Sequence, residues 1–318
     1  MKKKNKERPD AILTGDIHLR ETSPVCRTDN FFKTQEKKLQ FIKNLQNENE
    51  QIPVLDSGDI FDSPKPSNYL VGWALEHLPS PFISVCGNHD IPNHDLKLLS
   101  KSGVNVLNKA KTGQTVISKL AYEDITFRCR EDSSILIKVS GIPWEKKEKL
   151  DKKIKKDEKI KRVLLTHCPT YKKKVLWKGM KAIKADILLQ KLHLFDLVVT
   201  GHIHLPYSLK TNKNVLVNPG SLTRTTIAQL EHTPRVYFWY AKSNRIKKVF
   251  LPIEKNVMDL EIIDDKEKEE LLNQFMEEMT NKSQIGIDFE ENVSHFLSKN
   301  KINKKTKSIV KEILWKVG

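Results

Sequence analysis

No stretch of the 318 residues approaches the roughly 18 consecutive apolar positions that a bilayer span needs, so no membrane association is expected. The four cysteines, Cys26, Cys86, Cys129 and Cys168, form no C-x-x-C pair. That spacing argues against a zinc knuckle or a disulfide framework, and for a reducing, cytoplasmic environment. The basic start, Met1 to Arg8, leads into a short apolar stretch and then Gly15-Asp16, which reads as a first strand and not as a secretory signal. No repeat of solenoid length is present. Negative charge is in deficit: 40 Asp and Glu stand against 56 Lys and Arg, a formal charge of +16. Such a field concentrates polyanions, nucleic acid first among them, although a lysine-rich solvated surface gives the same number.

Against these absences stands one repeated design. Leu197-Val-Val-Thr-Gly-His202-Ile-His204 is a β-branched apolar run that ends in two histidines one residue apart. In an extended segment, side chains at i and i+2 point to the same side. Ala11-Ile-Leu-Thr-Gly-Asp16-Ile-His18 and Val54-Leu-Asp-Ser-Gly-Asp59-Ile-Phe-Asp62 have the same form. So do Phe82-Ile-Ser-Val-Cys-Gly-Asn88-His89-Asp90 and Val163-Leu-Leu-Thr-His167. Five buried strands that each deliver Asp, Asn or His at the carboxyl end ask for one shared metal centre. A lone histidine on a strand is more often a hydrogen-bonded core residue, but five of the ten histidines fall in these clusters. His77, His94, His193, His232 and His295 lack that context and read as surface or packing residues.

Between the first three strand ends the chain reads β-α-β-α-β, with helices expected over Phe31 to Asn47 and Tyr69 to Leu78. This order predicts a parallel sheet with the site at its carboxyl edge. Val104 to Leu107, Thr115 to Ile117, Ile125 to Cys129 and Ile135 to Val139 read as an antiparallel run making a second sheet. Glu145 to Arg162 reads as a charged helix. Strands return at Val163, Leu197, Val215 to Val217 and Val236 to Tyr240. A domain over residues 1–252 is expected, followed by a small, mostly helical accessory region over 253–318. There Leu271, Leu272, Phe275, Met276 and Met279 form one apolar stripe, and Ile309, Val310, Ile313 and Leu314 another. They can fold on each other or dock a partner helix.

Asp16, His18, Asp59, Asn88, His167, His202 and His204 combine carboxylate, amide and imidazole donors without thiolate, a set suited to Mn, Fe, Zn or Ni. Seven donors are too many for one ion but suit two that share a carboxylate. Two divalent cations exceed the charge of Asp16 and Asp59, attract a phosphate and acidify a water between them. Gly15-Asp16-Ile-His18, Gly58-Asp59-Ile-Phe-Asp62, Gly87-Asn88-His89-Asp90, Thr166-His167 and Gly201-His202-Ile-His204 resemble, in order, the five motifs of calcineurin-like metallophosphoesterases. The resemblance implies an α/β fold, a four-layer β-sandwich flanked by helices. It also implies that Asp16, His18, Asp59 and His204 hold one ion, and that Asp59, Asn88, His167 and His202 hold the other. His89 and Asp90 become the catalytic candidates: His89 as acid or electrostatic stabiliser beside the leaving oxygen, Asp90 with Asp62 better placed to orient their neighbours. Phe61-Asp62 and Asn218-Pro-Gly-Ser-Leu-Thr-Arg224 resemble the SbcD-type DNA-repair exonuclease subunits of the bacterial or phage-like branch.

Thr170 to Ala185 follows His167 directly and carries six lysines, Tyr171 and Trp177, with no acid. Such a segment suits a phosphate backbone and unstacked bases, although a solvated loop has the same composition. Lys172, Lys173, Lys174, Lys178 and Arg224 are the candidate DNA contacts. The resulting expectation is a manganese-dependent phosphodiesterase that cleaves DNA as an exonuclease, with endonuclease action on single strands. An SbcC-type coiled-coil ATPase or a second copy of the chain is the expected partner. The alternatives are a small-molecule phosphodiesterase or phosphatase of the same superfamily and, less favoured, a non-catalytic scaffold, which degenerate ligands would mark.

Overall fold

The computed structural model describes residues 7–117, 121–144, 157–175 and 180–259. In chain order the first half comprises β1 (Ala11–Thr14), α1 (Phe31–Glu48), β2 (Val54–Asp56), α2 (Asn68–His77), β3 (Phe82–Val85), α3 (Gly103–Ala110), β4 (Gln114–Ile117), β5 (Ala121–Arg128) and β6 (Leu136–Ile142). The second half comprises β7 (Ile160–Thr166), β8 (Thr170–Tyr171), β9 (Ile183–Lys184), α4 (Ala185–Lys191), β10 (Leu197–Thr200), β11 (Tyr207–Lys210), β12 (Val215–Asn218), β13 (Arg235–Tyr240) and β14 (Arg245–Phe250). Two six-stranded sheets result, ordered β14-β13-β1-β2-β3-β4 and β11-β12-β10-β7-β6-β5. In each, four parallel strands carry an antiparallel neighbour on the outside: β5 on β6, β11 on β12, and β13 on β1 followed by β14.

The period of two along these apolar strands decides the layers. Ala11, Leu13, Leu55, Ile83 and Val85 of the first sheet pack with Val139, Val163, Leu165, Leu197, Val199 and Val217 of the second, forming the core between sheets. The alternate residues face outwards. Ile12, Val54, Phe82 and Val116 meet Leu39 and Ile42 of α1, Leu70 and Ala74 of α2, and Val104 and Leu107 of α3. On the other side Leu164, Val198 and Leu216 meet Leu188 and Leu189 of α4. Strands apolar on both faces are therefore covered on both faces, giving helix, sheet, sheet and helix in four layers. Truncating one such fully buried leucine to alanine costs about 2–5 kcal/mol.

The two helices expected from periodicity lie within a residue of their predicted ends. Asn30 caps α1 by accepting the Lys33 amide, and Ser67 caps α2 by accepting that of Leu70. Three expectations are corrected. Val104 to Leu107 is helical: Ser102 caps it, Val104 and Leu107 turn inwards three residues apart, and Val106 is 48 % exposed. Thr115 to Ile117 lies in β4 and pairs parallel with β3, so only β5 and β6 form an antiparallel pair in that run. Ile160 to Arg162 is the start of β7, in register with Leu136 to Lys138, because Asp196 accepts the Arg162 amide and Lys161 ammonium and so quiets the charge that reads as helix surface. Of the rest of that expected helix, 157–159 lead into the strand as a turn and 145–156 lie outside the described residues, as do Trp177, Lys178 and the apolar stripes beyond 260. Among the described residues no helix is long and apolar enough to cross a membrane. Val257 and Met258 are buried, and Met258 pairs with Arg27, so the chain stays on the sandwich as far as Asp259.

Candidate metal centre

Strand register brings the donor-bearing loops to one edge. Thr14 pairs with Asp56 across β1 and β2, and Thr166 with Thr200 across β7 and β10, so Asp16 meets Asp59 and His167 meets His202. The loops are then laced by backbone bonds. The Asp16 amide donates to the Gly58 carbonyl (3.0 Å) and the His18 amide to the Asp59 carbonyl (2.9 Å). Two glycines allow the close approach. Gly58 has φ of 103°, and a Cβ on Gly87 would lie 2.1 Å from Asp59 Oδ1. Four donors themselves adopt left-handed backbone: Asp16 (φ 48°), His18 (51°), Asp59 (57°) and His202 (73°).

All seven expected donors converge. Asp59 Oδ2 lies 3.1 Å from His167 Nε2 and 3.6 Å from His18 Nε2. Asn88 Oδ1 lies 3.1 Å from His167 Nε2 and 2.9 Å from His202 Nδ1. His18 Nε2 faces His204 Nε2 at 3.1 Å, and Asp16 joins that pair. Asp59 thus stands between a group of Asp16, His18 and His204 and a group of Asn88, His167 and His202.

The electrostatics of this cluster call for added positive charge. His167 Nδ1 donates to the Ser57 carbonyl (2.8 Å), which turns Nε2, and in the neutral ring its lone pair, towards two oxygens. Burial opposes charging that ring, but Asp59 and then Asp16 more than offset it and push His167 up to about 10. A proton there stands where a cation would. Burial works against ionising Asp59, yet the imidazoles, His167 first, hold its carboxyl well below the usual range. Burial and then neighbouring imidazolium charge push His202 down to about 4 and His204 down to about 3, keeping both lone pairs available as donors. Asp16 Oδ2 is buried without a hydrogen-bond partner. Unpaired buried polar atoms are costly, and divalent cations satisfy this set of oxygens and imidazole nitrogens.

The profile of the calcineurin-like phosphoesterases matches residues 11–206. The chain belongs to that family. Its members are metal-dependent hydrolases that use a dinuclear divalent centre. In this family member the donors sit on the ends of β1, β2, β3, β7 and β10. Among solved structures the chain is similar to an archaeal phosphodiesterase (13 % identity, TM-score 0.39, covering 76 % of this chain and 99 % of that one). It is similar also to the phosphopantetheinyl hydrolase of Mycobacterium tuberculosis (12 %, 0.43, 76 % and 96 %). A third is GAP50, the inner-membrane-complex anchor of Plasmodium (14 %, 0.45, 79 % and 90 %). Comparison with curated protein sequences returned no match.

The other expected residues divide by what they touch. His89 Nδ1 donates to the Asp62 carbonyl (2.8 Å) and its ring stands edge-on to that of His18, 4.7 Å away. The Asp62 carboxylate lies 3.5 Å from His18 Nδ1 and 3.0 Å from the Arg20 guanidinium. Asp90 is fully buried, and its two oxygens accept the amides of Asp59, Ile60, Phe61 and Gly87. Each of these four bonds is to loop backbone. Burial and then Asp59 push the Asp90 carboxyl up to about 7, against the pull of those amides. Lys172, Lys173 and Lys174 are exposed, and Lys172 Nζ donates to the Ser208 carbonyl. Arg224 commits its guanidinium to the carbonyls of Leu230 and Glu254. Sequence reasoning missed Trp144, whose ring stacks on His202 (4.8 Å, 27°) and meets His167 edge-on at 5.9 Å. Its only sequence signal is its place just past a strand, after Gly141-Ile-Pro.

Proposed function

We propose that this phosphoesterase is a dinuclear-metal phosphodiesterase acting on DNA, an exonuclease with single-strand endonuclease action, serving repair, recombination or replication. One observation carries the choice of substrate: three consecutive exposed lysines, Lys172 to Lys174, follow the His167 strand end after only four residues, in a chain of charge +16. Ammonium groups beside a phosphoester site favour a continuous phosphate backbone over an isolated small ester.

Two divalent cations, manganese the expected choice, would be held by Asp16, His18, Asp59 and His204 and by Asp59, Asn88, His167 and His202, supplying Lewis acidity and an acidified water. The protein's own part is positional. The Asp62 carbonyl holds the His89 proton at Nδ1, so Nε2 is the nitrogen that can hold or pass a proton at the leaving oxygen. Asp62 steadies the His18 ring from its far side, and Trp144 walls the imidazoles of His202 and His167. The SbcC-type ATPase or second copy would engage the region beyond 260, outside the described residues.

Manganese-reconstituted digestion of end-labelled single- and double-stranded DNA tests the reading. Wild type should cleave at low salt and lose activity steeply as salt rises. His89→Ala should lower turnover about 10²–10⁴-fold. Charge reversal of Lys172, Lys173 and Lys174 should weaken DNA cleavage and spare a small chromogenic phosphodiester. Equal loss on both substrates, or no DNA cleavage at all, would leave the small-molecule phosphodiesterase as the better reading.

A further inference from the structure

On the flank of the donor cluster lies a hollow of about 250 Å³ between the segment after His167 and the segment after His204. Ile203, Leu205 and Pro206, which alternate with and follow the two histidines, supply apolar lining. Tyr171 and Tyr207 add aromatic side chains, and Lys172 to Lys174 complete the surround. Leu205 is 42 % exposed.

Three polar side chains of the hollow, Tyr207, Thr170 and Lys172, are already engaged. Tyr207 donates its hydroxyl to Thr170 Oγ1 (2.5 Å), Thr170 meets Thr200 (3.2 Å), and Lys172 binds the Ser208 carbonyl. Burial pushes the Tyr207 hydroxyl up to about 12, so it stays protonated in that bond. What the hollow offers a ligand is therefore apolar and aromatic surface beside positive charge. That combination suits a flat, weakly polar ring attached to a phosphate chain. Stacking and charge act on every base alike, so such a hollow discriminates little between one ring and another.

We propose that this hollow receives an unpaired nucleobase next to the scissile phosphodiester. The inference rests on the DNA reading above and extends it to strand preference. A base still paired and stacked in a duplex cannot turn its face to Leu205 and Tyr171 without leaving the helix, which costs a few kcal/mol. Single strands and frayed ends are then the favoured substrates, with little regard for sequence.

The test uses the full chain, metal-loaded, at one fixed low salt. Three labelled substrates are compared: a single strand, the same strand with abasic residues across its terminal segment, and the blunt duplex. Wild type should degrade the normal single strand about tenfold or more faster than either of the others. Tyr171→Ala and Leu205→Ala, on two different segments, should lower the rate on the normal strand to that on the abasic one and leave the abasic rate where it was. Equal wild-type rates on normal and abasic strands overturn the base-holding hollow while leaving DNA cleavage standing. So does discrimination that survives both substitutions. Failure to cut any of the three DNAs while bis(p-nitrophenyl) phosphate is still hydrolysed overturns the DNA reading, and this inference with it.

Discussion

Asp16, His18, Asp59 and His202 hold backbone angles that side-chain-bearing residues seldom adopt, and each is a candidate metal donor. Such conformations cost of order 1–3 kcal/mol apiece and persist only where surrounding bonds over-determine them. Here the Gly58 and Asp59 carbonyls and the Asp90 carboxylate supply those bonds. The fold thus bears strain at the place where it gathers donors. A second costly residue lies away from the site. Lys38 on α1 is 3 % exposed and donates Nζ to the Pro252 carbonyl (2.8 Å). Burial, then Arg27 and Arg224, push its ammonium down to about 7. Between that value and the unfolded value near 10.4 the unfolded chain binds the extra proton, so this group adds stability as pH rises from about 7 to 10. Lys38→Met removes the titration together with the bond to Pro252. Melting curves should therefore show the variant falling further behind wild type at pH 9.5 than at pH 6, by on the order of 1–3 kcal/mol after allowance for relaxation. A difference that does not change with pH would contradict this placement.

At the scale of elements, the strand-end loops act as one unit because Asp90, on the loop after β3, accepts three consecutive amides from the loop after β2. Asp90→Ala should cost about 3–5 kcal/mol in denaturant melts, since buried amides lose their acceptor. It should also weaken metal binding about 10–100-fold in titrations, with Asp90→Asn falling between. Stability and affinity both at the wild-type level would mean that the loops are held otherwise. Elements of this kind were readable in advance where pattern and cap agree. β1, β2 and β3 are apolar runs closed by Gly, and α1 and α2 begin at Asn30 and Ser67. Val104 to Leu107 was not readable, because four residues of Val, Asn and Leu satisfy either period until Ser102 and the packing of Leu107 decide. Nor was Ile160 to Arg162, whose charges are balanced by Asp196 from a distant part of the chain. Trp144 illustrates the same limit: its stacking on His202 exists only once β6 and β10 share a sheet.

The whole molecule joins two parallel-centred sheets so that the carboxyl ends of β1, β2 and β3 in one and β7 and β10 in the other meet at a single edge. The donors were legible because each strand end carries its own Asp, Asn or His. Their convergence is a property of register and sheet packing. Net charge of +16 belongs to this scale too, favouring polyanion encounter without choosing its site. The proposed chemistry depends on two cations sharing Asp59. Anomalous diffraction from crystals soaked in manganese tests it most directly. Two manganese peaks are predicted, one among Asp16, His18, Asp59 and His204 and one among Asp59, Asn88, His167 and His202. A single peak, or none within reach of Asp59, would contradict it.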